Sequence, residues 1–426
     1  MKIAIEPAGA VDWEVAVPGS KSLTNRALIA AAQAPGMTRL SNASFSDDSR
    51  FLAAALNQVG IAVETLDRER VLVVRGGRIG VSPQPLFMGN AGTALRFFTS
   101  FACLGQGRYV IDGDERMRER PIGGLVDALR RLGAAVVYKG KEGFPPLEIQ
   151  AHGLAGGRTI VQGDTSSQFV SSLLLAAPGA TDPVEIEVAG DVASKPYIDI
   201  TLDVMRDLGV AVEREGHRRF RIPNGSRYSP GEYAVEADGA SAGYFLAMAA
   251  ATGGRARVRG IGSRSHQGEI RFARILEEMG CSVGWSPDSV EVRGGPRRGV
   301  DVDMNDCPDS VQTVACVGLF ATGPTRVRNV RNLRVKETDR IAAIARECGK
   351  LGAKVQEHDD GFTLTPPAHV GTAEIDTYQD HRMAMSFAVA AVAAPGIVIR
   401  DPGCVSKSYP GFFEQLESLG VRLRRI

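Results

Sequence analysis

The chain has 426 residues, 44% hydrophobic and 23% charged, with 50 Lys+Arg against 49 Asp+Glu and a formal net charge of +1. That length exceeds one ordinary core and suits two, and the balanced charge argues against general nucleic-acid or membrane binding, which draws on a basic excess. MKIAIEPAGAV does not read as a signal peptide, no run of about 18 uncharged apolar residues suggests a membrane span, and the six cysteines form no CxxC pair or zinc spacing, so a cytoplasmic protein with reduced, buried thiols is expected.

Along the chain, one pattern recurs about every 70 residues: an apolar helix face, a Gly, then a strand-like segment. The copies are LNQVGIAV (Gly60), LRRLGAAV (Gly133), MRDLGVAV (Gly209), LEEMGCSV (Gly280), CGKLGAKV (Gly352) and LESLGVRL (Gly420). The residue before each Gly is apolar, and most copies have a second apolar residue one turn earlier, the stripe of a buried helix face. Gly suits a left-handed C-terminal position.

A second series keeps step with the first. The polar loops PGSKSLTNR (18–26), GNAGTALR (89–96), GDTSSQF (163–169), ADGASAGYF (237–245), CPDSVQT (307–313) and YQDHRMAM (378–385) each lead into an apolar helix, and their Ser, Asp, Gly and Thr are ordinary N-cap types. Each unit therefore predicts two helices separated by short strands. Six units predict an α/β chain of two domains, three units each. The last unit runs out of chain and needs a strand from elsewhere.

The loops also carry cations that a cap does not require: Lys21, Arg26, Arg96 and Arg382. Arg116, Arg118 and Arg120 in RMRERP, Lys195, Lys336, Arg340 and Lys407 add to them. A helix N-terminus is already partly positive, so further cations there make sense where an anion binds. Taken singly, each motif has an ordinary structural reading. PGSKSLTNR lacks the upstream Gly of a nucleotide P-loop. KETDR fits a surface ion pair, RMRERP a charged loop, and His381 a structural histidine. Joint occurrence in phase with the repeat is the stronger signal.

PGSKSLTNR, GNAGTALR, RMRERPIGGLVDAL, GDTSSQF, SKPYIDITL, NLRVKETDR, TYQDHRMAMS and DPGCVSKSYP, in this order and spacing, resemble the 5-enolpyruvylshikimate-3-phosphate synthase family nearly end to end. The resemblance implies a two-domain inside-out α/β barrel, each domain three βαβαββ repeats. The domains would be 20–237, and 1–19 with 238–426, the two crossovers forming the hinge. It implies transfer of the enolpyruvyl group of phosphoenolpyruvate to the 5-hydroxyl of shikimate 3-phosphate through a tetrahedral intermediate, with release of phosphate. No cofactor, metal, nucleic acid or membrane partner is implied, and a monomer is expected.

The same resemblance implies roles. Phosphoenolpyruvate would meet Lys21, Gly92, Arg120, Gln168 and Lys407 through its phosphate, and Arg340 and Arg382 through its carboxylate. Shikimate 3-phosphate would meet Lys21, Ser22, Arg26, Ser166, Ser167, Gln168, Ser194, Tyr197, Asp309, Asn332 and Lys336. Asp309 would be the base for the 5-hydroxyl, and Glu337 the acid toward the methylene carbon, with Lys21 assisting. One departure stands out: Phe97 follows Arg96 where the family commonly has Pro, which bears on Gly92, Thr93 and sensitivity to the inhibitor glyphosate. Rival readings are a UDP-N-acetylglucosamine enolpyruvyl transferase, whose loop typically carries a catalytic Cys absent from DERMRERPIGG, and an RNA cyclase or RNA-binding protein on a related repeat.

Overall fold

Twelve α-helices alternate with strands in the computed structural model, which describes residues 1–164 and 166–426. They are α1 (Lys21–Gln33), α2 (Asp47–Gln58), α3 (Gly92–Ala102), α4 (Gly123–Arg131), α5 (Ser167–Ala176), α6 (Pro196–Asp207), α7 (Gly239–Thr252), α8 (Phe272–Glu278), α9 (Val311–Gly318), α10 (Arg340–Lys350), α11 (His381–Ala393) and α12 (Phe412–Ser418).

Every even-numbered helix ends in the same way. The apolar residue of the repeat is its C-cap, and the next residue is the repeat's Gly, with φ of 82° at Gly60, 92° at Gly133, 91° at Gly209, 103° at Gly280, 92° at Gly352 and 90° at Gly420. The following N–H then reaches back to the helix: Ile61 to Leu56, Ala134 to Leu129, Val210 to Met205, Cys281 to Leu276, Ala353 to Cys348 and Val421 to Leu416. This paired C-terminal bonding satisfies carbonyls that the helix leaves open, and it turns the chain into the next strand.

Among the described residues the strands form six four-stranded sheets. In one, Gly157–Gln162 runs parallel to Val184–Ala189, which is antiparallel to Arg219–Ile222, itself antiparallel to Glu213–Glu215. Burial alternates along Leu147–His152 and Val184–Ala189, so one sheet face meets the helices and the other meets water. The sheet of the last unit is completed by Lys2–Ile5, which lies antiparallel between Ile397–Arg400 and Leu423–Arg425. Asp12–Ala16 likewise joins Arg255–Arg259, in parallel.

Contacts divide the chain into two units, Gly19–Glu236, and Met1–Pro18 with Ala237–Ile426. In the first, α1, α3 and α5 pack together and every residue of α3 is buried. In the second, α7, α9 and α11 pack together, and α7 is buried except at its last residue. Helices this enclosed are apolar on all sides, with the sheets outside them. The cysteines are free thiols, all buried except half-buried Cys404, and burial pushes Cys103 up to about 12. Among the described residues no helix is long and apolar enough to cross a membrane.

Candidate active site

The six helices that follow the polar loops share one feature: no Asp or Glu lies in their first turns. Among the other six helices, α4, α8 and α10 also lack one, whereas α2 opens with Asp47 and Asp48, α6 carries Asp199 and α12 carries Glu414. An acidic first turn is the usual complement to a helix dipole. Its absence leaves these termini positive, and Lys21 and Arg382 add cations to the first turns of α1 and α11.

In the unit Gly19–Glu236, Ser20 caps α1 by accepting from the Leu23 N–H at 3.4 Å. Lys21 opens the helix, and its ammonium lies 3.0 Å from Asp48 of α2. Ser22 is half-buried beside it. Arg26 is fully buried. It donates to Thr201 Oγ1 (2.7 Å), Ser22 O (2.8 Å), Ser171 Oγ (3.3 Å) and Tyr197 O (2.9 Å). Its guanidinium lies over Phe97, 5.1 Å from the ring centre, and 5.9 Å from that of Tyr197. Burial pulls the Arg26 pKa down to about 10. Arg26 was expected to meet shikimate 3-phosphate. The structure commits most of its five donors to the protein itself, leaving one Nη1 hydrogen for a ligand.

A second group surrounds Gly92, the first residue of α3. A Cβ there would lie 2.6 Å from Arg120 Nη2 and 2.8 Å from Arg96 Nη1, so two guanidinium groups press against a position that only Gly leaves open. Arg120 Nη1 also donates to Asn90 O at 3.0 Å and Oδ1 at 2.9 Å. Arg96 donates to Gln168 Oε1 at 2.7 Å, and Gln168 Nε2 donates to Thr93 Oγ1 at 3.1 Å. Ser166 caps α5 through the Gln168 N–H, and Ser167 is buried. Ser194 is buried with φ 56°, and its carbonyl accepts the Tyr197 N–H at 3.1 Å. The other arginines of RMRERP are surface partners: Arg116 pairs with Glu119, and Arg118 with Asp112.

In the other unit, Arg340 at the start of α10 is the hub. Its Nε and Nη2 donate to Asp380 at 2.7 and 3.2 Å, its Nη1 to Asp309 at 3.1 Å, and its Nη2 to Glu337 at 3.0 Å. Burial works against this charge, but Asp380, Glu337 and Asp309 outweigh it and hold the pKa above that of free arginine. Arg382 Nη2 donates to the other Asp309 oxygen at 2.5 Å, and its Nη1 to Tyr244 Oη at 3.3 Å. Burial raises the Tyr244 pKa to about 12, with Arg382 acting in the opposite sense. Lys407 Nζ lies 3.7 Å from Glu337 Oε1. Asp309 sits in the short turn Pro308–Ser310 ahead of α9, where Glu269 receives the Asp309 N–H at 3.4 Å and the Ser310 hydroxyl at 2.7 Å.

The structure thus brings Asp309, Glu337, Arg340, Arg382 and Lys407 into one connected cluster. Asn332 and Lys336 are half-buried on the turn leading into Glu337. Sequence reasoning missed Asp380, Asp48 and Glu269, and it left Arg96 out of the ligand contacts. Asp380 was visible only as an N-cap aspartate before α11; nothing local told that it would reach Arg340, 40 residues away.

Three findings bear on ancestry. Residues 5–416 match the family described as EPSP synthase (3-phosphoshikimate 1-carboxyvinyltransferase). The chain is 49% identical to the 3-phosphoshikimate 1-carboxyvinyltransferase of Shewanella baltica (strain OS155 / ATCC BAA-1091) over 98% of its length and 99% of that protein's. It is also 49% identical to that of Aeromonas salmonicida (strain A449), over 98% of both. The chain belongs to the EPSP synthase family. A solved EPSP synthase from Acinetobacter baumannii superposes over the full length of both chains with a TM-score of 0.83 at 24% identity. The enolpyruvyl transferase NikO from Streptomyces tendae has the same fold, with a TM-score of 0.77, 18% identity, and cover of 99% of this chain and 98% of that one. Phe97 lies in a close-packed helix start, with every residue of α3 buried. The ring is fully buried and lies against the Arg26 guanidinium.

Proposed function

We propose that the chain transfers the enolpyruvyl group of phosphoenolpyruvate to the 5-hydroxyl of shikimate 3-phosphate and releases phosphate. The supporting observation is the Asp309 carboxylate, held at one oxygen by Arg340 (3.1 Å) and at the other by Arg382 (2.5 Å). One carboxylate shared by two guanidinium groups is both a placed base and a competitor for the site of an incoming carboxylate. When the phosphoenolpyruvate carboxylate takes the two guanidiniums, as bidentate arginines favour, their hold on Asp309 loosens. Its lone pairs then become available to accept the hydroxyl proton.

Glu337, held between Arg340 and Lys407, is the acid toward the methylene carbon once the two anionic substrates offset those cations and it takes up the proton it delivers, with Lys21 assisting. Lys21, Arg120, Gln168, Lys407 and the N–H groups near Gly92 receive the phosphate of phosphoenolpyruvate. Ser22, Arg26, Ser166, Ser167, Ser194, Tyr197, Asn332 and Lys336 receive shikimate 3-phosphate. Positive groups positioned in advance stabilise the charge that two anionic substrates bring to the reacting centre. We place the protein in the cytoplasm as a monomer, on its family membership.

Phosphate release from purified protein tests the reading. Release should require phosphoenolpyruvate and shikimate 3-phosphate together. Release with UDP-N-acetylglucosamine in place of the shikimate ester, or with phosphoenolpyruvate alone, would overturn it.

A further inference from the structure

The segment 376–380 carries two consecutive non-glycine residues in the left-handed region, Tyr378 at φ 54° and Gln379 at φ 55°. L-residues avoid that region because Cβ crowds the following carbonyl oxygen. Such backbone persists only where its surroundings over-determine it. Here the central element of the surroundings is a buried carboxylate, with Arg346 Nη1 also donating to the Tyr378 hydroxyl at 3.4 Å and Arg400 Nη1 to Asp376 Oδ1 at 2.9 Å. Glu347 of α10 is wholly buried. Its Oε1 accepts from the Tyr378 hydroxyl at 2.5 Å, and its Oε2 accepts from the Asp376 N–H at 3.0 Å and from Lys350 Nζ at 2.6 Å. Lys350 in turn reaches Asp376 Oδ2 at 2.8 Å. Arg346 lies against the Tyr378 ring, 5.8 Å from its centre.

The other end of the segment is Asp380. It grips Arg340 through two bonds and caps α11 by accepting the Arg382 N–H at 2.9 Å. Arg340 and Glu347 are seven residues apart on α10, so they share one helix face. The helix therefore holds the segment at two points. A cation grips the carboxylate at one end, and a carboxylate grips the hydroxyl and N–H at the other.

We infer that Glu347, acting through Tyr378, is a positioning residue for the guanidiniums of Arg340 and Arg382. This rests on the reading of those two arginines as the phosphoenolpyruvate carboxylate clamp. Without the lower grip, Tyr378 and Gln379 relax toward right-handed backbone. Asp380 then shifts and stops fixing both the Arg340 fork and the first turn of α11.

Steady-state kinetics of Tyr378→Phe and Glu347→Gln test this, with Arg340→Ala as reference. Glu347→Gln disturbs a buried charge and could unfold the protein, so Tyr378→Phe, which removes only a hydroxyl from a half-buried ring, carries the test. The KM for phosphoenolpyruvate should rise about five- to tenfold, while that for shikimate 3-phosphate stays within about twofold of wild type. Adding Gln379→Gly should restore it, because Gly adopts positive φ without steric cost; a purely structural role for the hydroxyl would not respond in this way. A KM for phosphoenolpyruvate within about twofold of wild type in folded Tyr378→Phe, an equal rise for both substrates, or no restoration by Gly would each overturn the inference. If Arg340→Ala itself spares the KM for phosphoenolpyruvate, the clamp reading fails as well. If it raises that KM while Tyr378→Phe does not, the positioning role alone fails.

Discussion

Arg340 and Asp380 form a buried ion pair, with Nε and Oδ2 2.7 Å apart and the two side chains 1% and 0% exposed. The pair ties the start of α10 to the N-cap of α11, since the same carboxylate accepts the Arg382 N–H. Removing one partner of such a pair leaves an ill-compensated buried charge. Asp380→Ala should therefore cost about 3 kcal/mol of stability, read as a lower urea midpoint. Asp380→Asn keeps an acceptor for the Arg382 N–H and should cost less. A midpoint unchanged in Asp380→Ala would show that Asp309 and Glu337 suffice to hold Arg340.

Asp309 and Glu337 differ from Asp380 in being the carboxylates assigned to proton transfer. Asp309→Ala and Glu337→Ala should each lower kcat by about a hundredfold or more. Titration calorimetry should find phosphoenolpyruvate affinity preserved or tightened, because Arg340 and Arg382 lose an internal competitor. Turnover near wild type in either variant would remove that residue from the mechanism.

Gly92 is defined by what crowds it. In Gly92→Ala the methyl would lie 2.6 Å from Arg120 Nη2 and 2.8 Å from Arg96 Nη1. Both contacts are ends of flexible side chains, so the fold should survive with a melting temperature close to wild type. The displaced guanidiniums should raise the KM for phosphoenolpyruvate about tenfold, equivalent to about 1.4 kcal/mol. An unchanged KM would mean that Arg120 does not touch the donor substrate.

Arg26 makes a contrasting case. Four of its five donors are spent on neutral oxygens, one Nη1 hydrogen is left for a ligand, and burial lowers its pKa to about 10. A ligand that binds only the folded chain stabilises it, so shikimate 3-phosphate should add about 2.7 kcal/mol at a hundred times its Kd, seen as a raised melting temperature. Arg26→Lys cannot reproduce the four-bond fan. It should lower stability and weaken shikimate 3-phosphate more than phosphoenolpyruvate. The opposite order would reassign Arg26 to the donor substrate.

Local chemistry decided much of this protein in advance. A left-handed glycine after an apolar cap is a demand made within one helix turn, so all six helix ends were legible from LGxxV-like strings. The surplus of cations at helix starts, and the strand missing from the last unit, were readable for the same reason. Phe97 was readable only as a departure; that its ring underlies Arg26 depends on how α3 packs against α1. Which charges meet was not local either. Asp380 and Arg340 are 40 residues apart, and Asp309 and Arg382 are 73. RMRERP holds two surface arginines and one buried against Gly92, with nothing in the string to tell them apart. Sequence fixes hydrogen bonds that close within a turn, whereas long-range ion pairs form only once packing has excluded water and brought distant helices together.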